Sequence, residues 1–108
     1  MKTSINKVTL IGNLGNTPTI KEEGKVKMAN FSLATSEEYT GQDEKKKERV
    51  EWHHIIAFGG FVNSCKKLTS GSQVYIEGQL TTRQYEKDGQ THYITEIKVN
   101  DLRFLNLK

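Results

Sequence analysis

Cysteine and proline each occur once among the 108 residues, and long apolar runs are missing. A single Cys65 excludes an internal disulfide and any multi-cysteine zinc site, and the residue is expected to be buried as a small apolar side chain. No stretch approaches the ~20 apolar residues that a membrane-spanning helix needs. The opening Met1-Lys2-Thr3-Ser4-Ile5-Asn6-Lys7 lacks the apolar run of a signal peptide and the Arg-rich character of a transit peptide, so a cytoplasmic location is expected and no membrane partner. The three histidines are poorly placed for a metal. His53 and His54 are adjacent, which puts them on opposite faces of a strand, and His92 stands alone. No metal or other cofactor is expected. A formal charge of +3 and a pI near 9.0 permit a nucleic-acid partner without arguing strongly for one. Hydrophobic residues at 34% and charged residues at 27% fit a soluble globular chain, and its length fits one domain over residues 1–108.

What is present is mostly strand-like. Ile5 to Leu14 is apolar and β-branched, and it ends in a turn cluster, Gly12-Asn13-Leu14-Gly15-Asn16. Thr17-Pro18 favours an extended entry into a short piece, Thr19 to Glu22, and Glu23-Gly24-Lys25 reads as a hairpin turn. Val26 to Thr35 alternates, with Lys27, Ala29, Phe31 and Leu33 on one face and Val26, Met28, Asn30 and Ser32 on the other. Ser36 to Glu48 contains the charged run Asp43 to Arg49 and reads as a long, solvated, mobile loop. Val50 to Phe58 is the next strand. Phe61, Val62, Cys65 and Leu68 then define one face of a helix about two turns long. Gln73 to Arg83 is a strand in which Gly78 suggests a bulge or bend. Asp88-Gly89 marks a hairpin. Tyr93 to Val99 is a further strand, and Asp101 to Leu107 extends it. Five strands with a short helix between the third and fourth predict an all-β fold, a five-stranded OB-fold Greek-key barrel. A five-stranded SH3-like barrel is the competitor, and it has no place for that helix.

Trp52, His54, Ile56 and Phe58 share one face of their strand, and the two aromatics lie about 20 Å apart at the usual rise. Each could therefore take a different base, since every base has a π-face. Filling the core is the alternative for both. Tyr39 and Tyr85 sit among charged neighbours, poorly placed for a core and well placed to meet a planar ligand. Lys45, Lys46, Lys47, Arg49, Arg83 and Lys87 lie near them and could contact phosphates. Gly12-Asn13-Leu14-Gly15 has the form of a KH-domain loop, but it ends a strand, so its role is read as turn geometry. His53, His54, Glu51, Asp101 and Cys65 form no recognisable catalytic motif, so an enzyme is not expected.

Asn6-Lys7-Val8-Thr9-Leu10-Ile11-Gly12-Asn13-Leu14-Gly15, Pro18, Leu33-Ala34-Thr35-Ser36, Glu51-Trp52-His53, Phe58-Gly59, Gly71-Ser72-Gln73-Val74-Tyr75-Ile76-Glu77-Gly78-Gln79-Leu80 and Thr95-Glu96-Ile97 together resemble bacterial single-stranded DNA-binding proteins, from about Ser4 to Leu105. The resemblance implies sequence-independent binding of single-stranded DNA during replication, recombination and repair, by a nucleoid-associated homotetramer. It implies bases stacked on Trp52 and Phe58, with Tyr39 and Tyr85 where relatives often carry Trp, and Arg83 at a basic position of the same hairpin. It also implies subunit contacts at His53 and along the first strand. His54, Gly60, Ser70 and Gln84 stand where many relatives are basic, which implies a weaker phosphate attraction. Replication and repair enzymes are expected as partners only through a flexible acidic tail, which these residues do not contain. A dimeric primosomal OB-fold module, which joins a helicase-loading complex, is the alternative reading. A cold-shock-like RNA-binding role is a third.

Overall fold

A computed structural model describes residues 3–108. Six strands, β1 (Val8–Leu14), β2 (Thr19–Glu23), β3 (Val26–Thr40), β4 (Lys46–Phe58), β5 (Gln73–Lys87) and β6 (Gln90–Asn106), are joined with one helix, α1 (Phe61–Cys65), between β4 and β5. The sheet runs β1-β5-β6-β4-β3-β2. Within that order β4 meets β6 in a short parallel match, Ile55↔Ile97 and Ile56↔Lys98. One further contact makes it a barrel: the end of β1 pairs with β3 at Asn13↔Ala34 and Leu14↔Leu33. Five strands therefore close on themselves, with β2 attached outside as the hairpin partner of β3. This is the OB-fold arrangement expected from the order of elements.

Alternation along each strand sets the core. Ala29, Phe31 and Leu33 of β3, Ile55 and Ala57 of β4, Val74 and Ile76 of β5, and Ile97 and Val99 of β6 all point inward and are buried. The helix plugs one end of the barrel with Val62 and Cys65, and Leu68 just beyond it is buried too. Burial pushes the Cys65 thiol up to about 11, so it is a packing group and inert at neutral pH.

Two devices let the long strands curve. Opposite Glu77 and Gly78 the register steps from Asp101 to Val99, leaving Asn100 as the extra residue of a bulge. A Cβ at Gly78 would collide with the Lys98 carbonyl. Gly78→Ala is expected to destabilise the fold by about 1–3 kcal/mol through overpacking, read as a lower urea midpoint at unchanged slope. The second device is the β5–β6 turn. Asp88 at φ 53° and Gly89 at φ 73° have the positive φ values of a tight two-residue hairpin.

Several sequence expectations are corrected. Ser36 to Glu48 is not a mobile loop. It continues β3 and β4 as a ribbon paired from Ser36↔Val50 to Thr40↔Lys46. The chain reverses only over Gly41–Lys45, where the Gly41 amide donates to the Lys45 carbonyl at 3.0 Å and Asp43 Oδ1 accepts from the Lys45 amide at 3.2 Å. The charge run suits a ribbon because both of its faces are solvated: its side chains are exposed, with Glu37 opposite Arg49 and Glu38 opposite Glu48. The β5–β6 hairpin forms a second ribbon. Together they raise the radius of gyration to 16.1 Å, against about 13 Å for a compact domain of this size. Gly12 lies within β1, not in a turn, and its missing Cβ admits the carbonyl of Ala34. The helix is one turn shorter than its apolar pattern suggested, because Lys66 and Lys67 already form a turn.

Candidate nucleic-acid interface

The same alternation that fills the core defines an outer face. Paired residues share a face, so Ala34 goes with Trp52, Ser32 with His54, Asn30 with Ile56 and Met28 with Phe58. The parallel match carries this face from Ile56 to Lys98 on β6. From there Glu96, Ile94 and His92 continue it, facing Thr81, Arg83 and Tyr85 of β5. One surface therefore crosses β3, β4, β6 and β5. Its middle is a groove lined by Asn16, Met28, Asn30, His54, Ile94 and Arg83 among others. Trp52 stands at one end of the β4 row and Phe58 at the other.

Trp52 is 57% exposed and Phe58 39%, so neither fills the core. Trp52 lies over the chain reversal that follows β1. A Cβ on Gly15 would fall 2.7 Å from Trp52 Cη2, so the indole lies against bare backbone. That backbone is fixed: the Gly15 amide donates to the Ser32 carbonyl, and Asn16 Oδ1 accepts from the Ser32 amide, each at 2.9 Å. Gly15→Ala is expected to displace the ring while leaving the fold intact, since only the edge of a side chain has to move. Shifted Trp emission with an unchanged urea midpoint is the readout. Phe58 is covered on one side by Lys98, whose Nζ lies 5.6 Å from the ring centroid, a cation–π contact that holds a positive charge beside the ring. Tyr85 stacks on His92 at a centroid distance of 5.3 Å and an interplanar angle of 21°. Arg83 Nε donates to Glu96 Oε1 at 2.7 Å, and this bond holds the guanidinium above its ordinary value.

The structure brings together Trp52, His54, Phe58, Arg83 and Tyr85 from the residues singled out in the sequence. Lys87 lies in phase with Arg83 and Tyr85 at the end of its ribbon. The other basic residues are divided. Lys46 shares the Trp52 side of the β3–β4 ribbon, whereas Lys47 and Arg49 pair with Tyr39 and Glu37 on the other side. Lys45 lies in the turn, and Lys47 Nζ is 3.8 Å from Asp43. Tyr39 and Tyr85 are strand residues, not loop residues, and alternation sets Tyr39 on the side opposite Trp52. His53 lies on the Leu33 side of β4, half-buried, with Nε2 2.9 Å from Thr35 Oγ1. Glu96, Lys98 and His92 were missed as contributors to this face. Their alternation with the inward Ile97 and Val99 was visible, but the β4–β6 match that sets them beside Ile56 and Phe58 was not.

The sequence model of the Single-strand binding protein family matches residues 5–105. The chain belongs to this family. A single-stranded DNA-binding protein 1 of Chlorobaculum tepidum is 43% identical across the whole of this chain, which spans 69% of that relative's length. Among solved structures, a Plasmodium falciparum SSB in complex with ssDNA superposes with a TM-score of 0.86 at 36% identity, covering 98% of this chain and 99% of the other. A deletion mutant of the single-stranded DNA-binding protein of Thermus aquaticus shares the fold, with a TM-score of 0.80 at 24% identity over 94% of this chain and 51% of its own. Single-strand binding proteins are binding proteins, which agrees with a face built of aromatic and basic groups.

Proposed function

We propose that the outer face of the barrel binds single-stranded DNA without sequence preference, and that the chain protects such strands during replication, recombination and repair without acting as an enzyme. One observation carries this reading: Trp52, Phe58 and Tyr85 lie exposed along a single face that also carries Arg83, Lys98 and His54. Stacking supplies about 1–3 kcal/mol per base whatever the base. The basic groups follow the phosphates. A duplex keeps its base faces occupied, so the same aromatics gain nothing from it.

Four copies are proposed to assemble through β1 and His53. Exposed Ile11, on the outer side of β1 beside Tyr75, and Leu105 near the end of β6 support a contact there. The experiment compares oligo-dT, the same length of RNA and a duplex across a salt series, with the mass of the free protein measured by light scattering. Expected are binding of oligo-dT well above duplex, a log–log salt slope of about −0.7 per neutralised phosphate, and a mass of four chains. Salt-independent binding or a preference for duplex contradicts the reading of the face. A mass of two chains favours the primosomal alternative, and tighter binding of RNA favours the cold-shock-like one.

A further inference from the structure

A buried carboxylate is an odd feature in a groove meant for a polyanion. Glu96 is 5% exposed, yet it lines the same groove as His54, Ile94 and Arg83. It sits diagonally across from Arg83 in the β5–β6 ladder, where Thr81 is its direct partner. Its Oε1 takes the Nε–H of Arg83 at 2.7 Å, while the Arg83 side chain remains 56% exposed. Among the described residues, the hydrogen bond of that guanidinium runs from Nε, and none runs from its terminal nitrogens. A guanidinium carries five N–H donors in a rigid plane. Fixing the Nε–H therefore fixes where the other four point.

We infer that Glu96 is a positioning residue for single-strand binding: its buried carboxylate holds Arg83 by one edge and presents the remaining N–H groups to the strand in the groove. The inference rests on the reading that this face binds DNA. A free arginine on a β-ribbon spreads over many rotamers and loses that freedom on binding. Anchored at Nε, Arg83 has already lost much of it. The bond to Glu96 also favours the charged guanidinium, so the anchor does not weaken the cation that it orients. A lysine could not serve in the same way. Its single ammonium would be drawn to Glu96 and would offer no planar second edge to a phosphate or a base.

The inference and a plain electrostatic account differ in sign. If Glu96 only adds negative charge to the groove, neutralising it tightens DNA binding. If it positions Arg83, neutralising it weakens binding. The test measures oligo-dT affinity by the Trp52 emission for the native chain, Glu96→Leu, Glu96→Gln, Arg83→Lys and Arg83→Ala, with the two Glu96 changes repeated in the Arg83→Ala background. Expected is a several-fold loss for Glu96→Leu and a smaller one for Glu96→Gln, which keeps an acceptor oxygen for the Nε–H. Arg83→Lys should bind as weakly as Arg83→Ala although its charge is retained. In the Arg83→Ala background the effect of Glu96→Leu reverses, because an unpaired carboxylate then only repels the strand. A purely structural role would not produce that reversal. Should Glu96→Leu fail to fold, as judged by circular dichroism, Glu96→Gln in the native and Arg83→Ala backgrounds decides, by the same loss and reversal. Tighter binding by Glu96→Leu or Glu96→Gln in the otherwise native chain, or native affinity for Arg83→Lys, overturns the inference. A native chain that does not bind oligo-dT overturns the reading of the face itself, so the two failures are distinguishable.

Discussion

Trp52→Ala is expected to lower oligo-dT affinity by about 1–3 kcal/mol, the worth of one base stacked on an aromatic ring, and to leave folding stability nearly unchanged. The reason lies in its position. The ring is more than half exposed, rests against the backbone of Gly15 and lies outside the buried core cluster, so its removal opens no core cavity. Were Trp52 a core residue, the same change would cost about 3–5 kcal/mol of stability. Urea unfolding and DNA titration of one variant distinguish the two outcomes. A large drop in stability with affinity retained would place the indole in the core and the strand elsewhere.

Leu33→Ala is the complementary case. Leu33 lies next to Ala34, the direct cross-strand partner of Trp52, but points the other way and is fully buried against the barrel core. Its truncation is expected to cost about 2–5 kcal/mol of stability, from lost transfer energy plus the cavity left behind. At temperatures where the variant is still folded, its oligo-dT affinity should match that of the native chain. Two truncations one strand position apart thus have opposite signatures, one in binding and one in stability. The period-2 alternation of a strand is what separates them. Urea midpoints and titrations on both variants check this, and a Leu33→Ala variant of native stability would contradict the assigned inward face.

That alternation is also why so much was legible in the sequence. Ala29, Phe31 and Leu33 are read as one face from spacing alone, and the Asp88-Gly89 turn from its residue types. Gly78 marks its bulge because only a residue without Cβ suits that approach of two backbones. The charged run from Asp43 to Arg49 misled, because composition alone does not distinguish a solvated loop from a solvated ribbon. The difference lies in cross-strand pairs such as Glu37↔Arg49, which depend on register. The site was half visible for the same reason. Trp52, His54 and Phe58 belong to one strand and follow from its period. Lys98 and Glu96 join them only through the parallel match of β4 with β6, a contact between segments some forty residues apart, which no local pattern encodes. Arg83 was legible as a cation in a hairpin, but not as one already held by a carboxylate.

The most direct test of the account uses the one Trp of the chain, whose emission reports on a single position. Titration with oligo-dT at low salt should change the Trp52 emission in proportion to binding and reach a plateau at saturation, because a base lies on the indole in the complex. Emission that stays unchanged while an independent readout, such as the anisotropy of a labelled oligo-dT, shows saturated binding would contradict the account and move the strand to another surface.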